Sequence, residues 1–345
     1  MFINNFIYFN IGVCILLIVI EFSWNQYMKI RDKKMKKRIW NYVKEIKLQM
    51  KNHDEFQNSN DYIKKLKKEL KNTDKLLAFE KAFEIILIEN QKNIYFMNKI
   101  SKVFRQLAIV YDRKKNDTEK AYFAYFIGTY LYDIKSQRER NFLIGILYKW
   151  LTSKSIYTRI NSLEAIYKIG DTYHIIRTIG IINRKEYQYS NELIADVLKK
   201  FKLNKEQLAK ELFARFESYN NNIQMAIIKF LTDFSYVDEN KILEKLMANT
   251  SSIDVKCEIM RYFQKNKNDK LKDYLIEELK KGELIANDLN IKAIGTLAYY
   301  EEDDVKELLY KLTNSKDNII KETAYRSIEK MTGKGNIELL DLEVT

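Results

Sequence analysis

The sequence predicts an all-α protein, and three observations favour this fold class. The 345 residues include no proline and only nine glycines, whereas sandwiches and barrels need turns rich in both residue types. Apolar residues recur at the three- and four-residue spacing of a helix rather than in strict alternation. From about residue 140 onward, the chain also repeats a helix–turn–helix pattern roughly every 32 residues.

Composition indicates a folded protein in a reducing compartment. Hydrophobic residues make up 46% of the chain, a share that excludes a disordered protein. The length allows two ordinary domains or one elongated array. The two cysteines, Cys14 and Cys257, lie far apart, and they offer neither a disulfide framework nor metal-ligand spacing.

The net charge of +13 is unevenly distributed along the chain. Residues 29–75 hold 16 lysines and arginines against 7 acidic residues, so most of the positive charge lies in this segment. A basic protein usually has an anionic partner, but the codon bias of an A/T-rich genome is an alternative source of the lysines. Because little net charge remains for the repeats, a nucleic-acid groove there is not expected.

The first predicted element is a membrane-spanning helix. Residues 6–24 are FIYFNIGVCILLIVIEFSW, with no charge before Glu21. As a helix, this stretch is about 30 Å long, the thickness of a bilayer core. A secretory signal peptide is the main alternative, but residues 1–10 carry no lysine or arginine and no A-x-A-like cleavage site follows. A buried core helix is the second alternative. We therefore expect residues 1–28 to form a transmembrane anchor.

A basic cluster follows the predicted span directly. It consists of Lys29, Arg31, Lys33, Lys34, Lys36, Lys37 and Arg38. Because positive charge beside a span stays on the cytoplasmic side, the basic cluster predicts a single-pass protein of the cell membrane. Its N-terminus is expected outside and everything after residue 28 in the cytoplasm. The basic cluster is also expected to bind anionic lipid headgroups, the alternative being that it only sets the topology.

Two helical segments are predicted between the span and the repeats: a basic juxtamembrane region (29–75) and the helical start of the array (76–140). In the first, one helix face carries the apolar stripe Ile39, Val43, Ile46 and Met50. This stripe spans too few heptads for a coiled coil, so packing against the following helices is favoured. Residues 53–61 are polar and predict a loop. Helices are expected over residues 62–70, 76–89, 94–111 and 121–134.

Residues 141–335 contain six repeated helical segments. Their apolar stripes begin at Thr158, Ser190, Ile223, Val255, Ile291 and Ile320. The residues four and eight positions later complete one helix face. The middle positions include Gly295 and Ala324, which are small enough for a neighbouring helix to approach closely. Each segment follows another helix, and because one pair cannot bury its own apolar face, the pairs must stack.

Three stretches carry the residues of a known repeat. The clearest is LLYKLTNSKDNIIKETAYRSIEKM (308–331), where a helix ending in Leu-x-x-Leu precedes a turn, an aliphatic–basic pair and apolar residues at four-residue steps. WLTSKSIYTRINSLEAIYKIGD (150–171) and KLMANTSSIDVKCEIMRYF (245–263) match almost as well. These stretches resemble HEAT repeats. The units at 174–201 and 207–234 depart from the pattern, and no unit has the proline common in the first helix.

The resemblance implies that a right-handed α-solenoid of HEAT-like helix pairs follows the anchor. It also implies an inter-repeat ladder of basic side chains, which we expect to bond turn carboxylates of the neighbouring unit. The ladder residues are Arg159, Lys256, Lys292 and Lys321. A candidate binding face lies at the positions that point away from the buried stripes. Its residues are Glu164, Asp196, Lys229, Arg261, Leu297 and Arg326, of which Lys229, Arg261 and Arg326 are basic.

The sequence offers no recognisable catalytic or metal site. His53 lies in a polar segment and His174 at a predicted helix start, where capping or exposure is favoured over catalysis. TGKGN (332–336) lacks the spacing of a phosphate-binding loop. We expect neither a cofactor nor an enzyme activity.

These observations favour a membrane-anchored cytoplasmic scaffold whose repeats bind an unidentified protein partner, with a membrane enzyme complex as one possible client. The alternatives are a nucleic-acid-binding HEAT-like protein and an enzyme with an unrecognised site. Residues 336–345 form an acidic and apolar C-terminal tail. The sequence does not decide between two roles for it, a cap of the array and a docking segment.

Overall fold

In the computed structural model, most of the described residues are in helices. The structure describes residues 2–51, 59–89, 93–132, 134–184, 189–234, 238–247, 252–282 and 287–333. Within these ranges it contains seventeen α-helices and no strand. The chain divides into two compact units, unit 1 (Met1–Ile169) and unit 2 (Gly170–Thr345). The predicted all-α class and the helical repeat are both confirmed.

Unit 1 contains seven helices in two layers. They are α1 (Phe2–Lys51), α2 (Ser59–Glu69), α3 (Thr73–Glu89), α4 (Asn93–Asp112), α5 (Asp117–Tyr130), α6 (Gln137–Trp150) and α7 (Ile156–Ile169). In one layer, α1 packs on α3 and α5 packs on α7; in the other, α4 lies between α2 and α6. Buried aromatic rings fill the space between the layers, and Phe79 contacts Phe83, Phe104 and Phe126 with ring centroids 6.4 Å apart.

Unit 2 consists of five consecutive helix pairs. They are α8 (Thr172–Asn183) with α9 (Asn191–Lys200), α10 (Lys205–Ala214) with α11 (Asn221–Leu231), α12 (Glu239–Met247) with α13 (Ile253–Lys265), α14 (Asp269–Lys281) with α15 (Asn287–Leu297), and α16 (Asp303–Leu312) with α17 (Asn318–Thr332). The second helices of the pairs stack successively, α9 on α11, then α13, α15 and α17. This is the stacking that the apolar stripes predict, because each stripe is buried by the next pair.

Short polar side chains cap the N-terminal ends of many of these helices, and the sequence has no proline to mark the helix starts. The Asp317 carboxylate, for example, accepts hydrogen bonds from the backbone N–H groups of Ile319 and Ile320 (2.8 and 3.3 Å). The side chains that cap a helix start in this way are Asn116, Ser136, Asp171, Ser190, Asn204, Asn220, Ser252, Asn268 and Asp317. Such caps satisfy N–H groups that have no partner inside the helix. The chain therefore turns sharply between helices with few glycines.

Three of the predicted segment boundaries fall inside helices. The 28/29 boundary lies inside α1, the 75/76 boundary inside α3 and the 140/141 boundary inside α6. The predicted anchor and the juxtamembrane helix are a single helix of 50 residues, because no proline or glycine interrupts the chain between them. Most of the predicted loop at 53–61 and the tail at 336–345 lie outside the described residues.

The register of the fifth predicted stripe is wrong by two residues. Ile291 and Gly295 are only half-buried, whereas Ala293 and Leu297 have no exposed surface. A Cβ atom on Gly295 would meet nothing within 4 Å, so this glycine does not permit a close helix approach. Ser190 is also outside its stripe, since it is the exposed cap of α9. A close approach between two helices occurs instead in unit 1, between α5 and α7, where a Cβ on Gly128 would lie 2.8 Å from the Cα of Ala165.

Candidate interaction surfaces

The first exposed surface is the N-terminal half of α1. Its large apolar side chains are open to solvent by 55–65%: Ile15, Leu16, Leu17, Ile18, Val19, Ile20, Phe22 and Trp24. Within the described residues, α1 is the one helix that is long and apolar enough to cross a membrane. No other described part of the chain covers this surface.

The C-terminal end of α1 is part of the core of unit 1. Tyr42, Val43 and Ile46 are buried, and the Tyr42 hydroxyl donates a hydrogen bond of 2.9 Å to the Glu69 carboxylate. Burial, followed by the negative charge of Glu69, raises the pKa of Tyr42 well above its usual range. The predicted stripe at 39–50 therefore packs against the following helices.

The basic cluster lies on α1 between the exposed apolar segment and this buried end. Six of its seven side chains are exposed and Arg38 is half-buried. In the part of the chain that the structure describes, none of the seven forms an ion pair within the protein. Residues 28 and 42 are about 21 Å apart along a straight helix, so the basic cluster is held at a short, defined distance from the body of unit 1.

The three basic residues of the candidate binding face differ in their surroundings. Lys229 joins two repeats, since its ammonium lies 2.5 Å from Glu192 on α9. Arg261 pairs with the buried Glu258 of its own helix at 2.8 Å, and Arg326 pairs with Glu322 one turn away at 2.5 Å. Leu297 is fully buried, so it lies outside this face.

The ladder residues also differ from one another. The Arg159 guanidinium donates to the backbone carbonyls of Ser153 and Lys154 (3.0 and 3.2 Å), which belong to the turn before its own helix. Lys292 is half-buried, and burial, together with the positive charge of Arg261, lowers its pKa. Lys256 is half-exposed and Lys321 is exposed. The turn acid Asp317 caps α17 instead of pairing with a ladder residue.

Unit 2 has a groove between α8 and α10 with a cavity volume of about 660 Å³. Its lining residues are Thr172, Tyr173, Ile176, Arg177, Gly180, Ile181, Arg184, Gln207, Glu211 and Arg215. We call it the α8–α10 groove. The start of α8 is fixed by a capping box in which the Asp171 carboxylate accepts from the His174 backbone N–H (3.1 Å) and contacts its Nδ1 (2.6 Å).

The rim of the α8–α10 groove is positively charged. Arg184 follows the last residue of α8 and Arg215 follows the last residue of α10, and both side chains are exposed. Neither forms an ion pair in the described part of unit 2. The one lining carboxylate, Glu211, accepts a hydrogen bond of 3.0 Å from Gln207. The arrangement suits a ligand that combines negative charge with apolar groups.

Unit 1 contains a buried carboxylate, that of Glu80. Glu80 is 5% exposed and accepts hydrogen bonds from the hydroxyls of Tyr122 and Tyr130. Tyr130 also donates to Glu84 at 2.7 Å, so it bridges the two carboxylates. Burial raises the pKa of Glu80 despite these hydrogen bonds. The three hydrogen bonds join α3 to α5, which makes this cluster part of the core.

The described residues hold no group of three or more His, Cys, Asp and Glu side chains that could bind a metal ion. His174 is a capping residue, as predicted, and His53 lies outside the described residues. Burial raises the pKa of the Cys257 thiol, which makes it a poor nucleophile.

Comparison with solved structures finds two engineered proteins that are similar to the chain. The chain is similar to an engineered protein (14% identity, 67% of this chain, 96% of that chain, TM-score 0.25) and to a designed armadillo repeat protein (12% identity, 66% and 99%, TM-score 0.28). No protein-family model and no curated protein matches the chain. The fold assignment therefore depends on the stacked helix pairs described above.

Sequence reasoning missed the α8–α10 groove, although the spacing of some of its lining residues can be read from the sequence. Tyr173, Arg177, Gly180 and Arg184 follow one another at four-, three- and four-residue steps, so they share one face of α8. The aliphatic lining residues of α8, Ile176 and Ile181, lie to either side of this face, so a search for buried stripes does not find it.

Proposed function

We propose that the protein is a membrane-anchored scaffold, not an enzyme, and that its helical repeats bind a protein partner on the cytoplasmic side of the cell membrane. The observation that carries this proposal is that α1 is continuous. Its exposed apolar half and its buried end belong to one uninterrupted helix. Inserting the apolar half into a bilayer removes it from water and fixes unit 1 beside the membrane surface.

The second part of the proposal is that the basic cluster binds anionic lipid. Because its seven side chains have no ion-pair partners in the described residues, they are available to headgroups. Each basic residue near an anionic surface contributes about 1 kcal/mol. Flotation with vesicles of phosphatidylcholine alone, compared with vesicles that contain phosphatidylserine, tests this contribution.

The membrane anchor is tested by substituting two exposed residues of α1. Leu16→Arg/Val19→Arg leaves the cores untouched, because both side chains are exposed, but each arginine costs about 3 kcal/mol in the bilayer. We expect the wild-type protein to float with membranes in a density gradient and the variant to remain at the bottom. Tyr157→Arg/Leu203→Arg changes two exposed residues of the units by the same charge and is the control. Flotation of the Leu16→Arg/Val19→Arg variant would contradict the anchor.

Partner binding is tested with the full chain in its native membrane. Chemical crosslinking followed by purification is expected to recover the same protein partner before and after nuclease treatment. Binding of nucleic acid instead, with an affinity that falls steeply as salt is raised, would contradict a protein partner.

A further inference from the structure

The α8–α10 groove combines an apolar floor with a basic rim. Ile176 and Gly180 of α8 lie along the floor, and Tyr173, which is 65% exposed, stands at one end. A Cβ atom at Gly180 would meet nothing within 4 Å, so the floor is open at this point. There is room at this point for an aliphatic side chain of a ligand beside Ile176.

At the rim, Arg184 and Arg215 are exposed and form no ion pair in the described part of the protein. Arg177, Arg184 and Arg215 line the groove against the single carboxylate of Glu211. Arginine pairs with carboxylates through two parallel hydrogen bonds, which gives it both energy and directional preference. Arg184 follows α8 and Arg215 follows α10, so each of the two helices contributes an arginine to the rim.

The size of the α8–α10 groove fits part of a polypeptide. A volume of about 660 Å³ accommodates several side chains rather than a single ion. An apolar floor beneath separate arginines favours alternating aliphatic and acidic groups over a continuous phosphate backbone.

We propose that the α8–α10 groove binds an extended acidic–aliphatic segment of the partner protein. This proposal depends on the scaffold function proposed above and names the chemistry of the partner. The aliphatic side chains contact Ile176 and the open floor at Gly180, and the carboxylates pair with Arg184 and Arg215.

Peptide selection on the full chain in lipid nanodiscs tests the proposal. A phage-displayed library of random 12-residue peptides is expected to yield peptides with a net charge of about −3 and several aliphatic residues. For an enriched peptide labelled with fluorescein, fluorescence anisotropy should show at least ten-fold weaker binding to Arg184→Glu/Arg215→Glu. Lys241→Glu/Lys267→Glu changes two exposed lysines outside the groove by the same charge and should leave the affinity unchanged.

A second pair of variants tests the shape of the groove without changing its charge. Gly180→Phe should weaken binding at least ten-fold because the ring occupies the floor. Gly145→Phe, at a helix position of unit 1 that is equally open, should have no effect. Enrichment of neutral or basic peptides, or equal affinity of all four variants, would overturn the proposal, as would displacement of the peptide by a 12-residue oligodeoxythymidine. Flotation of the same preparation tests the membrane anchor independently. A failure of the peptide-binding proposal can therefore be distinguished from a failure of the proposed anchor.

Discussion

Gly128 lies where two helices of unit 1 leave no room for a side chain. A Cβ atom there would lie 2.8 Å from the Cα and 3.1 Å from the Cβ of Ala165, and backbone cannot yield as a flexible side chain does. Gly128→Ala should therefore destabilise the protein by about 1–3 kcal/mol through overpacking. This exceeds the gain of up to about 1 kcal/mol from replacing a helical glycine. Urea unfolding of the full chain in detergent measures the difference.

Gly145 provides the control for this substitution. It also lies inside a helix of unit 1, but its Cβ would meet nothing within 4 Å. Gly145→Ala should stabilise the protein by about 0.5–1 kcal/mol, because alanine loses less backbone entropy in a helix. Equal effects of the two substitutions would show that α5 and α7 are farther apart than the structure has them.

The buried Glu80 makes the stability of the protein decrease as pH rises. Burial raises its pKa, so the folded state favours the protonated carboxyl. This contribution is complete below the ordinary carboxyl pKa of about 4.3 and is lost as pH rises through the folded-state value. In thermal unfolding between pH 4 and 8, Glu80→Gln should become progressively more stable relative to the wild type.

Glu119 should show the opposite dependence and serves as the matched control. Burial alone would raise its pKa, but hydrogen bonds from Lys114 and Thr73 lower it overall. Its contribution is therefore present above the ordinary carboxyl pKa and is lost as pH falls. Glu119→Gln should lose stability relative to the wild type as pH rises. Parallel pH profiles for the two variants would contradict the assigned surroundings of both carboxylates.

Among the helices, α1 is the element that joins the exposed apolar segment to a core. Ile46 and Leu48 are two residues apart on it, yet Ile46 has no exposed surface and Leu48 is 57% exposed. Ile46→Ala should lower the free energy of unfolding by about 2–5 kcal/mol, while Leu48→Ala should change it by no more than about 0.5 kcal/mol. Urea unfolding followed by circular dichroism measures both values. If the two variants are equally stable, α1 does not pack against α3.

Helix positions were predictable from sequence where one face is clearly apolar, and less so where apolar residues are dense. The helix predicted over 121–134 is observed as α5, with its start moved to the residue after the Asn116 cap. In α15 the run LNIKAIGTLAYY (289–300) places an apolar residue at most positions. Stripes beginning at Leu289 and at Ile291 both satisfy the helical period, so periodicity could not choose between them.

The α8–α10 groove was beyond sequence reasoning for a different reason. Its two sides come from helices about thirty residues apart, and its arginines only become neighbours when α8 packs on α10. Gly128 was missed similarly, because the residue that crowds it, Ala165, lies on another helix. Periodicity locates the buried face of each helix, whereas clefts and close contacts depend on which faces meet.

For the whole molecule, the uneven charge distribution has a consequence for orientation in the membrane. In the proposed topology, the basic cluster holds residues after 28 on the cytoplasmic side, because moving basic residues across a membrane is disfavoured. Changing all seven to glutamine should therefore yield molecules in both orientations. With Cys14 and Cys257 replaced by alanine, Lys168→Cys places a reporter thiol on an exposed position of α7. A membrane-impermeant maleimide on sealed vesicles then measures the share of each orientation.

The matched control removes the same charge from unit 2. Seven exposed lysines are changed to glutamine: Lys200, Lys202, Lys241, Lys267, Lys270, Lys280 and Lys316. These residues lie far from the span in sequence, and charge acts on topology within about 15–20 residues of a span, so this variant should keep the orientation of the wild type. If both variants instead behave like the wild type, the basic cluster does not set the topology, and its seven unpaired side chains serve lipid binding alone.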